Sequence, residues 1–327
     1  MRLCTDRSVI TGAALALAVL ALAPTPLAAR GAAEQDQTDR QTRVVTIGAS
    51  GSLEIKNVSG DVTVTAGSGN DARIELTKRA HGRAAADARR ALDEVTVDIE
   101  QQGERVTVVT RYPDGRDRRR NDTDVDVTFV VTAPAGTRVT ASTVSGDVRV
   151  ENIKGNLSAS AVSGDVSLVG VGTVADAKTV SGSVRATDIP NSDSLSLTTI
   201  SGDILIDRVS ARRLDGSTTS GDVTATGITS ERASLRSLSG NVVYSGALAR
   251  GGRYELQSHS GNVTLSPSGT VGYELQASTF NGRITPAGDM TVKSISGGPS
   301  NVHATVGDGS ATVAITTFSG NVEIRKR

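Results

Sequence analysis

The 327-residue chain lacks tryptophan altogether, and aromatic residues make up only 2% of it. Flat rings supply the stacking surfaces of most sugar-binding and base-stacking proteins, so this composition argues against both classes. Lysine plus arginine equals aspartate plus glutamate at 35 each, which leaves no bulk charge to attract nucleic acid or an anionic membrane. We therefore expect no nucleic-acid partner.

Cysteine and histidine, which serve most often in covalent, metal and acid–base chemistry near neutral pH, are also scarce. The single cysteine, Cys4, precedes an apolar run and is expected to leave with a signal peptide, so the mature chain would hold no disulfide and no cysteine metal site. The histidines, His81, His259 and His303, lie far apart in sequence, and surface exposure is the favoured interpretation. The sequence predicts no catalytic, cofactor-binding or metal-binding residue, and we interpret the chain as a non-enzyme.

The first residues have the features of a secretory signal. Arg2 and Arg7 supply positive charge, Ala13 to Ala23 is apolar, and small residues allow cleavage after Ala29 or Ala33. A spanning helix needs about 20 apolar residues, which neither this run nor any later stretch provides. We predict an exported protein of the periplasm, cell surface or extracellular space. Its predicted signal peptide is 1–29, and the polar, aperiodic stretch 30–43 is predicted to be a flexible linker.

What the chain has in abundance is one short word, Ser-Gly followed by Asp or Asn. Successive clear copies stand 18 to 21 residues apart, as from Ser145 to Ser163 and from Ser239 to Ser260, and such a period indicates a repeat architecture. Glycine permits a positive φ and Asp or Asn can bond back to the chain, so the word predicts a tight turn. The turn column comprises Asp147, Asp165, Asp203, Asp222, Asn241, Asn262 and Asn321, an outlying copy at Asp61, and weaker copies at Ser181-Gly182-Ser183, Asn281-Gly282-Arg283 and Ser296-Gly297-Gly298.

Apolar residues alternate on both sides of this turn. Positions three and five after the serine are apolar, as in Val148 and Val150, and so are positions four and six before it, as in Ala141 and Val139. Period-two alternation indicates strands with one buried side. Parallel pairing of equivalent strands about 4.8 Å apart would bury these columns in a narrow interior. We predict an all-β fold over 139–327, a parallel β-solenoid or β-helix-like stack of two-strand repeats; a β-sandwich gives no reason for one turn word to recur in register.

A different unit separates the outlying copy from the main array. Alternating strands surround the Ala- and Arg-rich run Arg83 to Asp93, which favours a short helix. Because a stack of repeats needs a terminal cap, 44–138 is predicted to form a first repeat and a strand-helix-strand capping insert, continuous with the solenoid. A solvated loop, or alternatively a loop that binds an anionic partner, is predicted at Arg116, Arg118, Arg119 and Arg120, which alternate with acidic residues.

Two features of the repeat leave alternatives open. Stacked carboxylates such as Asp147 and Asp165 would repel by about 1 kcal/mol even in water, and a calcium ion would relieve this. Because Asn and Ser interrupt the column, the structural turn is the favoured interpretation. Tyr244, Tyr254 and Tyr273 could line up as a small aromatic face, although filling the core is the favoured role.

The Ser-Gly-Asp/Asn-Val words, the early copy split off by the insert, and the approach Ala133-Pro134-Ala135-Gly136 resemble the bacterial putative-adhesin family of β-strand-repeat proteins, a domain of unknown function. The resemblance covers Val44 to Arg327 and implies a solenoid-like fold on an exported or envelope-linked protein, without catalytic residues. We interpret the chain as a monomeric, non-enzymatic binding, adhesion or scaffold module for an envelope protein or a cell-wall polymer. The alternatives are a polysaccharide-acting enzyme with acids in a groove, and a self-assembling structural element, which the terminal Arg325, Lys326 and Arg327 disfavour.

Overall fold

The computed structural model describes residues 36–82, 84–113, 124–286, 292–298 and 300–325. The predicted signal peptide and the arginine loop (Arg116, Arg118, Arg119, Arg120) lie outside the described residues. Within the described residues there is one helix, α1 (Ala85–Glu94), and no helix is long and apolar enough to cross a membrane. The strands are β1 (Gln37–Thr46), β2 (Ser52–Lys56), β3 (Val62–Gly67), β4 (Asp71–His81), β5 (Thr96–Gln102), β6 (Arg105–Arg111), β7 (Asp124–Pro134), β8 (Arg138–Ser145), β9 (Val148–Glu151), β10 (Leu157–Ser163), β11 (Val166–Val169), β12 (Val174–Ser181), β13 (Val184–Ser201), β14 (Ile204–Ser220), β15 (Val223–Ser239), β16 (Val242–Ser260), β17 (Val263–Ser268), β18 (Tyr273–Asn281), β19 (Ile284–Thr285), β20 (Val292–Gly298), β21 (Asn301–Val306), β22 (Ala311–Ser319) and β23 (Val322–Ile324).

The strands form two parallel walls that meet at the Ser-Gly turn. Strands before the turn make the first wall and strands after it make the second wall, and each repeat adds one layer to both. Like residues pair in register, with Ser145 opposite Ser163 and Ser201 opposite Ser220. The predicted all-β, solenoid-like stack is therefore confirmed.

The predicted apolar columns fill the space between the walls. The first apolar residues after the glycine-containing turns lie in a continuous buried line, with no more than 5% exposure, formed by Val62, Val148, Val166, Val184, Ile204, Val223, Val242, Val263, Val322 and Ile284. Lateral pairing places each of these residues next to its equivalent in the neighbouring layer. Because the columns are mostly Val, Ile, Leu and Ala, the interior is narrow.

The second corner of the repeat differs from the predicted pair of strands separated by turns. The middle strands β13 to β16 run without interruption around this corner. Seven places after the signature serine, a single left-handed residue bends the chain in β13 (Asp188), β14 (Arg208) and β15 (Gly227). Asn152 and Gly170 hold the same place in two earlier layers, where the strands are interrupted, and φ lies between 52° and 66° in all five. Left-handed backbone costs a non-glycine residue about 1–2 kcal/mol.

At both ends of the stack the order of layers departs from the order in sequence. At one end β6 and β7 form a layer outside β2 and β3, with Val106 opposite Leu53 and Phe129 opposite Val62. At the other end the layer of β22 and β23 lies between the layer of β16 and β17 and that of β18 and β19. Successive repeats therefore do not all lie directly above one another, which corrects the prediction for the last layers.

The weak copy Ser296-Gly297-Gly298 is not a turn of the column. It lies inside β20, which pairs antiparallel with β21, so that Gly298 is opposite Asn301. This hairpin continues from β18, to which β21 is also antiparallel. After the hairpin of β20 and β21, the chain re-enters the stack as β22, which lies between β16 and β18.

Antiparallel strands and the helix cover the first end, as the predicted cap requires. β5 pairs with β6, β4 pairs with β7, and Ala88, Ala91 and Leu92 of α1 are buried. The buried Lys78 ammonium donates to the carbonyls of Leu92 (3.3 Å) and Val95 (2.6 Å), where the helix ends. A cation at this position satisfies terminal carbonyls and complements the helix dipole.

The predicted linker is wrong for residues 37–43, which belong to β1. β1 pairs antiparallel with β4 along its whole length, from Gln37 opposite Ala80 to Thr46 opposite Asp71. Most of its residues are exposed, because it is an edge strand. Such a strand is held by backbone hydrogen bonds rather than by a buried apolar side, so no alternation marked it in the sequence.

Candidate binding surface

The Ser-Gly-Asp turns form a hydrogen-bonded ladder along one edge of the stack. The backbone N–H of Asp165 donates to Oδ1 of Asp147 at 2.8 Å, and that of Asn262 donates to Oδ1 of Asn241 at 3.0 Å. Equivalent bonds reach the side chains of Asp61, Asp165, Asp203, Asp222, Asn262 and Asn321. The side chain thus bonds to the next layer rather than within its own turn. Because only Oδ1 is needed, Asn can replace Asp.

One aspartate of this column has a perturbed acidity. Burial by itself raises the pKa of Asp165, but the hydrogen bond from the Ser183 N–H and the contact with Arg185 outweigh it, and the pKa is lowered. The Arg185 guanidinium lies 2.7 Å from Oδ2 of Asp165. Within the described part of the chain no group of three or more His, Cys, Asp or Glu residues is arranged to hold a metal ion. Cation binding by the column is the less favoured alternative from the sequence, and calcium titration would test it.

Glycine is required in this column because the layers approach closely. Gly221 has φ +144°, and a Cβ there would lie closer than 3.0 Å to the carbonyl oxygen of Gly202. The same overlap recurs between Gly202 and Gly182. Glycine at the second position of the Ser-Gly-Asp/Asn motif is therefore required by the close contact between layers as well as by turn geometry.

A buried hydroxyl two places before the signature serine stabilises each glycine turn. In the layer of Thr199, the hydroxyl donates to the carbonyl of Gly182 at 2.9 Å. The same bond is made by Thr143, Thr179, Thr218, Ser237, Ser258, Thr317 and Thr279 to the glycine of the neighbouring layer. Ala161 occupies this position in one layer and cannot make the bond.

An apolar row lies on the outside of the first wall, immediately before the signature serine. Strand alternation turns the second, fourth and sixth residues before the serine inward, so the first one points outward. Many of these outward residues are nevertheless apolar, with Ile200 51%, Leu238 53% and Phe280 78% exposed. We call this row the outer ridge; in spatial order it comprises Val58, Val144, Val162, Val180, Ile200, Thr219, Leu238, His259, Phe318 and Phe280.

The outer ridge ends in a stack of three rings, His259, Phe318 and Phe280, which we call the ring ladder. Their centroids are 4.9 Å apart in each step, and the planes differ by 8° and 3°. A groove of about 700 Å³ lies along the ring ladder and is lined by hydroxyl and amide side chains as well as the rings. The groove wall includes Arg236, whose guanidinium contacts Glu255 at 2.8 Å and Gln257 at 3.2 Å.

Sequence reasoning missed the outer ridge and the ring ladder. An apolar residue precedes Ser-Gly in Thr-Val-Ser-Gly and in Thr-Phe-Ser-Gly. Because strand alternation places this residue outward, its apolar character is the signal that could have revealed the outer ridge. The low aromatic content argued against an aromatic binding surface. That inference failed because an average over the whole chain does not reveal a few rings that lie together. Two of the three phenylalanines nevertheless lie together in this small region.

The tyrosines fill the core, which confirms the favoured interpretation over an aromatic face. Tyr244 and Tyr254 are fully buried and Tyr273 is 3% exposed. Tyr244 and Tyr254 meet edge to face, with centroids 5.5 Å apart, and the Tyr254 hydroxyl donates to the carbonyl of Ser230. Burial raises the pKa of Tyr273 to about 12, so it stays neutral in the physiological range.

A second, polar pocket of about 470 Å³ lies at the first turn and brings Asp61, Asp126 and Arg79 together. Each acid already has a structural partner. Oδ1 of Asp61 accepts the Asp147 N–H at 2.9 Å, and Oδ1 of Asp126 accepts the Ser59 hydroxyl at 2.6 Å. His81 lies nearby, 4.0 Å from Asp126. His259 and His303 are exposed elsewhere, so the structure brings no two histidines together within the described residues.

Comparison with known proteins gives a family and several solved structures that match most of the chain. The family described as Toastrack DUF4097 matches residues 50–325. No curated protein matches the chain. Among solved structures, a putative cell adhesion protein from Clostridium sporogenes is 10% identical, with a TM-score of 0.23 and coverage of 89% of this chain and 100% of that chain.

Two further solved structures are similar at the same level. A putative adhesin from Bacteroides fragilis is 9% identical with a TM-score of 0.37, and a putative lipid binding protein from Parabacteroides distasonis is 14% identical with a TM-score of 0.40. Each covers 88% of this chain and 97% of its own.

Proposed function

The chain belongs to the Toastrack DUF4097 family, and from this membership we propose that it is an exported, non-enzymatic binding module of the cell envelope that recognises its partner through the outer ridge. The predicted signal peptide supports export, to a periplasm or to the cell surface. The partner is an envelope protein or a cell-wall polymer.

The observation that carries this proposal is the length of the outer ridge, which is apolar in every layer except those of Thr219 and His259. Equivalent residues of adjacent layers stand about 4.8 Å apart, so the row extends on the order of 40 Å along the first wall. With side chains such as Val144 (49%), Ile200 (51%) and Phe280 (78%) this exposed, its apolar surface is on the order of 500 Å². Patches of this size on a folded protein mark interaction sites, whereas single exposed apolar residues do not.

The charges beside the outer ridge disfavour an anionic membrane as the partner. Asp147, Asp165, Asp203 and Asp222 follow the ridge residues of their layers by three places. A row of carboxylates next to the apolar residues would be repelled by anionic head groups. The alternative of an enzyme would use the polar pocket at the first turn, with Asp61, Asp126 and Arg79. It is less well supported than binding, because Asp61 and Asp126 are held in structural hydrogen bonds.

A paired set of variants tests the proposal. Ile200→Ser with Leu238→Ser removes two half-exposed residues of the outer ridge, whereas Leu205→Ser removes a 38% exposed residue from the outside of the second wall and serves as the matched control. Binding of each purified protein to isolated cell-wall polymer and to a solubilised envelope-protein fraction is measured by biolayer interferometry. We expect the double variant to bind at least one fraction about tenfold more weakly, with an unchanged melting temperature and normal binding by the control.

Two outcomes contradict the proposal. One is equal binding by the double variant and the wild type to every fraction that the wild type binds. The other is loss of binding by Leu205→Ser to the same extent, which would place recognition outside the outer ridge.

A further inference from the structure

The ring ladder and its groove point to a ligand class: we propose that they bind an uncharged polysaccharide chain lying along the layers. This inference rests on the proposed binding function and names the ligand for one part of the outer ridge. It depends on charge, on spacing and on the mixture of apolar and polar groups at this site.

The turn column loses its negative charge where the rings begin. In the earlier layers the residue after the glycine is Asp147, Asp165, Asp203 or Asp222, with Ser183 in one layer between them; from Asn241 onward no layer has a carboxylate there, and in the ring ladder the residue is Asn262, Asn321 or Arg283. The described residues that line the groove include no carboxylate. The cation of Arg236 is paired with Glu255 at 2.8 Å. The groove lining therefore holds no carboxylate and one paired arginine, while Arg283 in the turn after Phe280 adds one positive charge beside the ladder. An uncharged ligand fits this lining, and the polyphosphate titration below tests whether Arg283 attracts an anion instead.

The spacing of the rings suits a polymer with a repeat near the layer distance. Centroids 4.9 Å apart place one ring edge beside each successive layer, and the length of one pyranose residue in an extended chain is similar. Phe280 is 78% exposed, so one more flat apolar surface is available at the end of the ladder. Because the rings cover one another's faces inside the ladder, the C–H-rich face of a sugar can stack only on the outer face of Phe280, and the rest of a chain along the layers would contact ring edges.

Polar groups flank the rings on the groove side. Gln257, Thr316 and Ser278 occupy the outward position two places before the ring of their layer, so hydroxyl and amide groups accompany the ladder from layer to layer. An apolar peptide or acyl chain would cover the hydroxyls of Thr316 and Ser278 without replacing their hydrogen bonds to water, which is unfavourable. Gln257 is already bonded to Arg236 and Glu255. A sugar chain supplies hydroxyls beside its apolar faces and satisfies both kinds of surface.

Titration with defined sugars tests this inference. The full mature chain is titrated with a β-1,4-linked glucose hexamer, a β-1,4-linked N-acetylglucosamine hexamer and a polyphosphate of similar length, with binding followed by calorimetry and by ligand-observed NMR. We expect at least one uncharged hexamer to bind and the polyphosphate not to bind. Phe280→Ser with Phe318→Ser should weaken hexamer binding at least tenfold, and Gln257→Ala should weaken it several-fold. Leu205→Ser should leave it unchanged, and melting temperatures show that each variant is folded.

Several results would overturn the inference. These are binding of neither hexamer at millimolar concentration, binding of the polyphosphate alone, or hexamer binding that the double phenylalanine variant retains. If neither hexamer binds while Ile200→Ser with Leu238→Ser still loses the envelope-protein fraction, the ligand class is wrong and the proposed binding function stands. If hexamer binding depends on the phenylalanines while the Ile200 and Leu238 variant keeps every envelope interaction, recognition is confined to the ring ladder and the ridge-wide proposal is wrong.

Discussion

Replacing Ala161 by threonine should stabilise the fold, because it completes the buried hydroxyl column. In the neighbouring layers Thr143 and Thr179 donate to the carbonyls of Gly60 (3.2 Å) and Gly164 (2.8 Å). Ala161 is 4% exposed in the layer between them, where the equivalent acceptor is the carbonyl of Gly146. The alanine leaves that carbonyl without the hydroxyl that its neighbours receive.

The expected gain is that of one buried hydrogen bond, about 1 kcal/mol. Threonine should fit, since both adjacent layers hold threonine at this position and parallel strands tolerate β-branched side chains. For a domain of this size about 1 kcal/mol raises the melting temperature by roughly 2 °C.

The assay is urea denaturation followed by circular dichroism, together with calorimetric melting. Ala161→Val is the matched control, because valine has the shape of threonine without the hydroxyl, and the difference between the two variants isolates the hydrogen bond. We expect Ala161→Thr to be more stable than both Ala161→Val and the wild type. A threonine variant no more stable than the valine variant would refute the role assigned to the hydroxyl column.

Two further predictions concern the turn ladder. Gly221→Ala should lower the free energy of unfolding by about 3–5 kcal/mol, since its Cβ would overlap the carbonyl of Gly202. The control is Gly103→Ala, at φ +62° with no atom within 4 Å, which should lower it by only about 1 kcal/mol. Similar losses of stability in the two variants would contradict the close-approach explanation. The lowered pKa of Asp165 means that its stabilisation is complete above the unfolded value of 3.8 and is lost as the pH falls through the folded pKa. The stability difference between wild type and Asp165→Asn should therefore shrink below about pH 4 in urea titrations, and a difference independent of pH would show that the carboxylate charge is unimportant.

Much of the fold could be predicted because its signals are local. The Ser-Gly-Asp word marks a turn wherever it occurs, and alternation in a stretch such as Val148 to Val150 identifies the buried side without knowledge of the partner strand. Ser296-Gly297-Gly298 shows the limit of this reasoning. This similar sequence lies in an antiparallel hairpin, because pairing with β21 determines its backbone conformation.

The candidate site was less accessible to prediction, because its residues are distant in sequence. Asn321 donates to Asn262 across 59 residues and Arg283 to Asn321 across 38, so the rings of these layers meet only after the layers exchange order. An outward apolar residue precedes the serine in most copies, with Thr219 and His259 as exceptions, but its significance depends on many copies lying in one exposed row. Neither fact follows from a single repeat.

The amino-acid sequence by itself determined the repeating unit, the narrow aliphatic interior and the glycine turns, since these depend on residue spacing and on backbone conformations available to each residue. Tertiary structure alone decided which layers became neighbours at the two ends, that 37–43 forms an edge strand, and that His259, Phe318 and Phe280 stack. The physical reason is that strand partners are selected by long-range backbone pairing, and repeats with nearly identical local patterns do not specify which copy lies beside which.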